Sequence, residues 1–448
     1  MASTSISKTF RNAGNRQKWT WSAWIKRANL TNASNGQTLW NCEGSNANDN
    51  FIFQIDGGGG SGGATDSIAL HTYGNDVFRT TPLLRDVSAW YHIVLALDTT
   101  QATATNRIKL YVNGTLQSYS QEANFPSQNY NMGINRAAKH CVGSHGTNAN
   151  YYFDGSMSHI HFCDGYQYAA SDFGETDSTT GEWKIKTSPS VSYGTNGFWI
   201  LKDGNSLTDQ SPNSNNFSSN GGTLTKTEDS PSNVFATGNN LATYWTAATF
   251  ANGNTTQTTQ SNNYSFNTST LGFKTGKWYW EAKIVSSAQS DMFGITGRTN
   301  SGGTTHELGK YADQYAFNSY SGVSRTNSTD TSYASQFNSN GTIVQIAVDM
   351  TNLKIHLGLN GVWQNSSNPS NNTGGLAIGA ISTTTDGYYF VGIGDYSNGA
   401  GTYSYNFGNG YFGTTAVSSA GTNASGNGIF EYDVPTGYTA LSTKGLNL

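Results

Sequence analysis

At 448 residues, with 12% charged residues and a formal net charge of −4, the chain carries about half the charge density of an average soluble domain. It has no Lys/Arg cluster to neutralise phosphates and no apolar run near the ~20 residues of a membrane span, so we expect neither nucleic-acid nor membrane partners. Its 3 cysteines exclude a disulfide-stapled secreted module.

Short predicted strands alternate with Gly/Asn/Ser/Thr turns from the start of the chain, a pattern typical of an all-β sandwich or barrel. The first marker strand places Trp19, Trp21 and Ala23 on one face. Residues 1–8 lack the apolar segment of a secretion signal, so we expect the protein to be made in a cytoplasm. The glycine-rich residues 57–63, flanked by strands, are predicted to form a flexible loop tip.

A plan of strand, loop, alternating strand and Asn-Gly turn occurs twice in the chain. The first copy runs from residues 90–98 to Asn113-Gly114, and the second from residues 343–349 to Asn360-Gly361. The apolar residues that share one face of the alternating strands are Ile108, Leu110 and Val112, and Leu353, Ile355, Leu357 and Leu359. Asn-Gly favours a type I′ hairpin, because both central residues need a positive φ. The repeat predicts two similar β-sandwiches in series, an architecture more typical of binding than of catalysis.

Residues 176–235 are rich in Ser, Thr, Asn and Gly and contain several prolines that break regular structure. We interpret them as an ordered connector that packs on its neighbours. The predicted organisation is a first sandwich at 1–175, the connector, and a second sandwich at 236–448 that ends in a C-terminal strand.

His159, His161 and Cys163 alternate along a predicted strand and would point to the same side. Imidazole and thiolate groups bind transition metals, but no fourth ligand is spaced nearby. A row that faces the connector or solvent, with Ile160 and Phe162 in the core, explains the pattern better. We assign no metal and no cofactor.

Residues 1–175 resemble laminin-G/pentraxin-type, concanavalin A-like domains. The resemblance depends on residues 23–25, 90–98, 110–114 and 153–155 with 173–174. It implies a fold of two antiparallel sheets. Such domains often hold Ca²⁺ through loop carboxylates, for which Asp49, Asp56, Asp66 and Asp154 are available. None of these has EF-hand-like spacing, so Ca²⁺ stays open and unassigned.

Residues 236–448 resemble a SPRY-type domain, which is also a two-sheet sandwich. The matching motifs are residues 276–281, 293–295, Asp349 with 359–361, and 405–408. The fold class is therefore all-β, with two concanavalin A-like/SPRY-like antiparallel β-sandwiches joined by an ordered connector.

The combined layout, including residues 231–235 and 430–438, resembles structural proteins of tailed, particularly marine, bacteriophages. This resemblance implies a protein of the virion surface, in a tail fibre or a head decoration, that contacts other virion proteins. A virus released by lysis would reconcile an extracellular-type surface with the missing secretion signal. A homotrimer suits a tail protein, although no heptad repeat supports one.

Glycan binding would rest on aromatic faces that stack on sugar rings, with neutral polar groups nearby. The candidates on predicted loops are Trp363, Tyr320, Tyr396, Tyr151 and Tyr166, with Tyr130, Tyr168 and Tyr311 as further tyrosines. Trp363 ranks first because it follows the Asn360-Gly361 turn and hairpin tips are exposed. Each of these rings is more often a packing residue than a ligand contact.

A polysaccharide-degrading enzyme on a jelly-roll fold is an alternative. Glycosidases need two carboxylates roughly 5–9.5 Å apart, and the Glu-x-Asp-x-Glu spacing of jelly-roll endoglucanases does not occur here. Glu281 is predicted to be a cross-strand partner, and no catalytic residue is assigned.

We therefore expect a non-enzymatic virion surface protein that binds host-surface polysaccharide. A decoration protein making only protein contacts, and a SPRY-type peptide receptor acting through the loops around Trp363 and Tyr320, are further alternatives.

Overall fold

The computed structural model describes residues 4–30, 36–42, 44, 50–58, 64–72, 75–121, 124–146, 151–202, 204, 206–242, 248–299, 306–396 and 399–447. The chain divides into two compact units, residues 1–226 and 227–448. Most of the predicted connector therefore belongs to the first unit. No helix in the described part of the chain is long and apolar enough to cross a membrane.

Unit 1 is built on two large antiparallel sheets within the residues described. Sheet 1A has the strand order β10-β6-β5-β4-β3-β11-β1-β16. Its strands are β1 (Ile6–Thr9), β3 (Gln37–Cys42), β4 (Phe51–Ile55), β5 (Ser67–Thr72), β6 (Asn75–Leu83), β10 (Tyr119–Gln121), β11 (Lys139–Val142) and β16 (Ser218–Ser219).

Sheet 1B has the order β15-β12-β2-β7-β8-β9. Its strands are β2 (Lys18–Arg27), β7 (Trp90–Asp98), β8 (Ile108–Val112), β9 (Thr115–Leu116), β12 (Gly155–Asp164) and β15 (Phe198–Ile200). A hairpin of β13 (Gly174–Thr176) and β14 (Trp183–Ile185) and short 3₁₀ helices at Ala104–Asn106 and Ala170–Asp172 complete the unit.

Aromatic side chains fill the space between sheets 1A and 1B. Trp19 and Trp21 are fully buried, and the Trp21 ring stacks on Trp40 of β3 with centroids 6.2 Å apart. Trp19, Trp21, Ala23 and Ile25 alternate along β2 and all belong to this core. The inward face predicted for the first marker strand is confirmed, and it fixes the register of β2.

Unit 2 repeats the two-sheet architecture. Sheet 2A has the order β17-β18-β30-β20-β25-β26-β27, with β28 on β26 and β33 parallel to β20. Its strands are β17 (Thr249–Ala251), β18 (Thr256–Thr258), β20 (Lys277–Ser286), β25 (Ile343–Asp349), β26 (Lys354–Leu359), β27 (Val362–Trp363), β28 (Leu376–Ala377), β30 (Thr402–Asn406) and β33 (Thr439–Ala440).

Sheet 2B has the order β19-β29-β21-β22-β23-β24. Its strands are β19 (Tyr264–Phe273), β21 (Asp291–Thr296), β22 (Gln314–Asn318), β23 (Val323–Thr326), β24 (Thr329–Ser332) and β29 (Tyr389–Tyr396). The remaining elements are the hairpin of β31 (Tyr411–Phe412) and β32 (Thr415–Ala416), 3₁₀ helices at Pro369–Asn371 and Ile381–Thr383, and helix α1 (Thr443–Leu446).

The two Asn-Gly turns have the predicted type I′ signs of φ. Asn113 and Gly114 have φ of 47° and 79°, and Asn360 and Gly361 have 47° and 86°. Each Asn side chain also accepts a backbone hydrogen bond from the neighbouring strand, at 2.8 Å from His92 N and 2.8 Å from Ile343 N. The all-β class and the concanavalin A-like/SPRY-like sandwich fold are confirmed.

Candidate functional site

The outer face of sheet 1B is covered by residues 166–193 of the same unit. Cys163 and Val94 on this face pack with Phe173, Tyr193 and Trp199 in a separate small core. His161 stacks on Trp199 at 4.8 Å, and its Nδ1 pairs with the Tyr193 hydroxyl at 2.9 Å. His161 and Cys163 therefore face the connector, as predicted. The strict alternation expected for His159, His161 and Cys163 is not kept.

A β-bulge interrupts β12 between Ser158 and His161. His159 takes a left-handed φ of 48° there, and its Nδ1 lies 2.7 Å from the Ser158 hydroxyl. Ile160 and Phe162 are fully buried in the main core, as expected. Among the residues that the structure describes, no group of three or more His, Cys, Asp and Glu side chains could hold a metal ion.

A buried Ser–His pair lies on the same face, and its proton arrangement is wrong for a nucleophile. His92 Nε2 lies 2.9 Å from the Ser22 hydroxyl, and Trp183 Nε1 donates to His92 Nδ1 at 3.0 Å. Because Trp can only donate, Nδ1 is unprotonated and Nε2 carries the hydrogen. Burial lowers the pKa of His92 to about 3. His92 therefore donates to Ser22 and cannot act as its base.

The outer face of sheet 2A is covered in the same manner by the C-terminal segment 429–442, which we call the strap. Phe430, Val434 and Tyr438 of the strap pack against Tyr279 and Ala347 of the sheet. Trp363 joins this cluster, with its ring centroid 6.4 Å from Tyr279. The exposure expected for Trp363 is wrong: Trp363 is half-buried, and the large apolar side chain exposed at this tip is Val362 (63%).

Glu281 anchors the strap from the sheet. Its two carboxylate oxygens accept hydrogen bonds from the backbone N of Glu431 and Tyr432, both at 2.9 Å. They also accept from the Tyr279 hydroxyl at 2.9 Å and from Asn406 Nδ2 at 3.2 Å. Burial raises the pKa of Glu281 to about 7. The buried carboxyl holds the strap, a longer-range role than the predicted cross-strand pairing.

The other predicted tyrosines lie in different surroundings. Tyr320 is 57% exposed in the turn after β22. Tyr151 is half-buried and meets His145 edge-on at 5.8 Å. The side chain of Tyr396 lies outside the described part of the structure. Of the predicted candidates in unit 2, Tyr320 is therefore the ring most open to a ligand.

Tyr166 and Tyr168 form a parallel aromatic pair that we call the tyrosine platform. Their ring centroids are 5.7 Å apart with 16° between the planes, and Tyr166 is 41% exposed. Tyr168 lies below it and meets buried Phe173 edge-on at 6.1 Å. In the structure, two tyrosines that were separate candidates in the sequence form one stacked pair.

The backbone and the hydroxyl of the platform are fixed by neighbouring residues. The Thr20 hydroxyl donates to the Tyr166 carbonyl and accepts from Tyr168 N, both at 2.8 Å. The Tyr168 hydroxyl accepts from Ser192 N at 2.8 Å. Because these bonds hold the loop before any ligand arrives, little ordering entropy would be lost on binding.

Asp164 holds the turn that leads into the platform. This buried carboxylate accepts from Asn15 N and Asn135 Nδ2, both at 2.7 Å, and from Asn196 N at 3.0 Å. Gly165 follows with a φ of 88°, a left-handed conformation that glycine adopts without strain in such a turn. Its three partners are distant in sequence, so no local pattern could have shown this role.

The carboxylates considered for Ca²⁺ have other partners where they are described. Asp66 Oδ1 accepts from Arg27 at 2.9 Å, and Asp56 Oδ2 accepts from Arg79 at 2.5 Å. Asp154 Oδ2 accepts from Asn29 Nδ2 at 2.6 Å. Asp49 and residues 59–63 of the glycine-rich loop lie outside the described residues. Asp56 and Asp66 are thus each paired with an arginine in this structure.

A family model described as the concanavalin A-like lectin/glucanases superfamily (Laminin_G_3) matches residues 3–171, within unit 1. This confirms the concanavalin A-like resemblance of the first domain. The SPRY-type resemblance of the second domain stays a prediction. No curated protein matches the chain.

Solved structures with similar folds include three of different kinds. The SPRY domain of human HERC1 is 14% identical with a TM-score of 0.27, and the match covers 35% of this chain and 91% of that domain. A heptameric SAP-like pentraxin from Limulus polyphemus is 14% identical with a TM-score of 0.28, covering 37% of this chain and 72% of that one. A putative carbohydrate binding protein from Bacteroides ovatus is 17% identical with a TM-score of 0.32, covering 51% of this chain and 61% of that one.

Proposed function

We propose that this chain is a non-enzymatic surface protein of a bacteriophage virion, in a tail fibre or a head decoration, that binds host-surface glycan through side chains at its sandwich loops. The observation that carries the proposal is the tyrosine platform. It presents an exposed aromatic ring on a loop that is already fixed by Thr20 and Asp164.

The surroundings of the platform suit a neutral polar ligand. Gln167 and Asn106 lie beside it, with Gln167 Nε2 donating to the Asn106 carbonyl at 3.3 Å. Sugar rings offer C–H groups to an electron-rich ring face and hydroxyls to amides and carbonyls. The low proportion of charged residues in the chain, 12%, also suits a neutral ligand. Many copies on one particle would multiply weak individual contacts into firm attachment.

The absence of an assigned reaction is also part of the proposal. The outer faces of sheets 1B and 2A are covered by the chain's own segments, which obstructs the access of a polysaccharide to them. The Ser22–His92 pair has the inverted proton arrangement described above. These features favour adhesion over hydrolysis.

The test is binding of the full chain to arrayed lipopolysaccharide O-chains and capsular polysaccharides, with the variants Tyr166→Ala and Leu116→Ala. Leu116 is 56% exposed on another hairpin of unit 1 and serves as the matched control. We expect Tyr166→Ala to weaken binding about tenfold, or about 1.4 kcal/mol, and Leu116→Ala to leave it unchanged. If no polysaccharide binds, the adhesive function is wrong, and a decoration protein making only protein contacts takes its place.

The virion location is tested separately by immunogold electron microscopy of phage particles with antibody against this chain. Label on the tail or the head supports the proposal. Label on neither, with the protein found only in lysed host cells, would refute it.

A further inference from the structure

We infer that unit 2 carries a second glycan site, formed by Tyr388, Phe390, Gly272 and Lys274 on the outer face of sheet 2B, for an extended β-1,4-linked hexose chain. This inference rests on the proposed function and deepens it, because it names the linkage class that one domain recognises. We call the four residues the β19–β29 platform.

Strand register places the four residues on one face. Gly272 is paired with Phe390, and Phe273 with Tyr389. Phe273 and Tyr389 point inward, since both are buried in the core. Alternation therefore turns Gly272, Phe390 and Lys274 outward. Tyr388 lies on the same side, because Lys274 Nζ is 5.5 Å from the centre of its ring.

Gly272 leaves the space that the Phe390 ring occupies. A Cβ on Gly272 would lie 2.8 Å from Cε1 and 2.9 Å from Cζ of Phe390, so any larger residue would displace the ring. Because Gly272 has no side chain, the half-buried Phe390 ring packs directly against the backbone of β19. Tyr388 beside it is 42% exposed. Tyr388 and Phe390 are two residues apart, which places their backbone positions roughly 7 Å apart along one strand with both side chains on the outer face.

The loop that carries Tyr388 is held by buried and hydrogen-bonded groups. Asp313 Oδ2 accepts from Thr385 Oγ1 at 2.8 Å, and its other oxygen accepts from Arg298 Nε at 2.8 Å. Asp386 Oδ2 accepts from the Thr299 hydroxyl at 2.7 Å. Loop and strand together fix Tyr388 and Phe390 before a ligand binds, as a preformed site requires.

The side chains on this surface determine which class of glycan fits it. Two ring faces in a row along a straight strand fit a chain that runs straight and presents successive sugar faces, as β-1,4-linked hexoses do. An α-1,4-linked chain coils and would lift its second ring from the surface. Lys274 has no ion-pair partner among the described residues and can donate to sugar hydroxyls or ring oxygens.

The experiment uses the full chain and three soluble probes: cellohexaose, β-1,4-mannohexaose and the α-linked maltohexaose. Hydrogen–deuterium exchange with each probe reports which segments are protected, and calorimetric titration gives the Kd. The variants are Tyr388→Ala and the control Val285→Ala, an exposed apolar residue of the same unit that lies outside the platform.

We expect a β-linked hexaose to protect residues 270–274 and 386–391. Tyr388→Ala should weaken its binding at least tenfold, and Val285→Ala less than twofold. Maltohexaose should protect neither segment. Equal loss in both variants, or equal binding of maltohexaose, overturns the inference.

The failure of this site is distinguishable from the failure of the proposed function. If polysaccharides protect only residues 164–169 of unit 1, the β19–β29 platform is wrong and the adhesive function stands. If no glycan binds anywhere on the chain, the adhesive function fails, and the platform fails with it.

Discussion

The buried carboxyl of Glu281 provides the sharpest test of how unit 2 is held together, through the substitution Glu281→Gln. In the native protein each carboxylate oxygen accepts two hydrogen bonds, one pair from Tyr279 and Tyr432 and the other from Asn406 and Glu431. A glutamine keeps the shape but replaces one acceptor oxygen by an NH₂ donor.

The loss of stability in Glu281→Gln depends on how the glutamine amide is oriented. The less costly one directs NH₂ toward the Tyr279 hydroxyl, which can turn to accept, and leaves the Tyr432 backbone N–H buried without a partner. At pH 5 the native carboxyl is protonated, so its hydroxyl can donate to Tyr279 and still accept from the Tyr432 N–H, which an NH₂ group cannot do. The unpaired N–H costs ~1–3 kcal/mol, and we expect unit 2 to lose about that much stability at pH 5.

The pH dependence has a definite sign. Burial raises the pKa of Glu281 from its ordinary value of 4.5 to about 7, so the folded state binds this proton more tightly than the unfolded state. The group's stabilisation is complete below pH 4.5 and is lost as pH rises through 7, a change of roughly 3 kcal/mol. The variant has no such titration, so its disadvantage should shrink between pH 5 and 8.

The assay is urea unfolding of the native chain, Glu281→Gln and the exposed control Glu182→Gln, followed at pH 5, 6, 7 and 8. Exchange protection of residues 429–434 measures release of the strap in the same samples. A free-energy difference between native chain and Glu281→Gln that stays constant over this range would refute the reasoning, as would equal effects of Glu182→Gln.

Four further substitutions test other contacts. Gly361→Ala should destabilise unit 2 by ~2–3 kcal/mol, because its φ is 86° and a Cβ would lie 2.9 Å from Tyr432; Gly165→Ala, with a φ of 88° and open space, should cost only ~1 kcal/mol, and equal midpoint shifts in urea would contradict this. Asp164→Asn should lower the stability of unit 1 by ~2 kcal/mol and weaken polysaccharide binding; unchanged affinity would show that Asp164 does not position the tyrosine platform. Trp183→Phe should cost ~1 kcal/mol through loss of the bond to His92, measured by thermal unfolding, and a neutral result would refute that assignment.

Local pattern was sufficient to predict the strands, their inward faces and the two tight turns. Trp19, Trp21 and Ala23 alternate because a strand has a period of two, and the Asn-Gly pairs impose positive φ wherever they occur. The same local signals predicted that Ile160 and Phe162 are buried. These features depend on neighbouring residues alone and so are readable from sequence.

The segments that cover the outer faces of sheets 1B and 2A could not be predicted, because their positions depend on contacts between residues that are distant in sequence. A Cβ on Gly114 would lie 2.6 Å from the Trp183 ring, and one on Gly361 would lie 2.9 Å from Tyr432. No residue near either turn in the sequence indicates that these aromatic side chains contact it. Trp363 was expected to be exposed for this reason, since the strap that half-buries it begins many residues later. The stacking of Tyr166 on Tyr168 was missed because period two gives a shared side but not a ring distance.

The two coverings have one consequence for ligand binding. In each unit a later segment crosses the outer face of a sheet and brings an aromatic ring against the glycine of the Asn-Gly turn, with Trp183 in unit 1 and Tyr432 in unit 2. Residues on those faces, such as His92 and Glu281, are thereby committed to holding the segments in place. A ligand must then meet the exposed surface of the covering segments or the opposite sheets. Tyr166 is exposed on the segment that covers sheet 1B, and Tyr388 is exposed on the outer face of sheet 2B. The packing that makes the outer faces of sheets 1B and 2A inaccessible therefore leaves recognition to exposed rings such as Tyr166 and Tyr388.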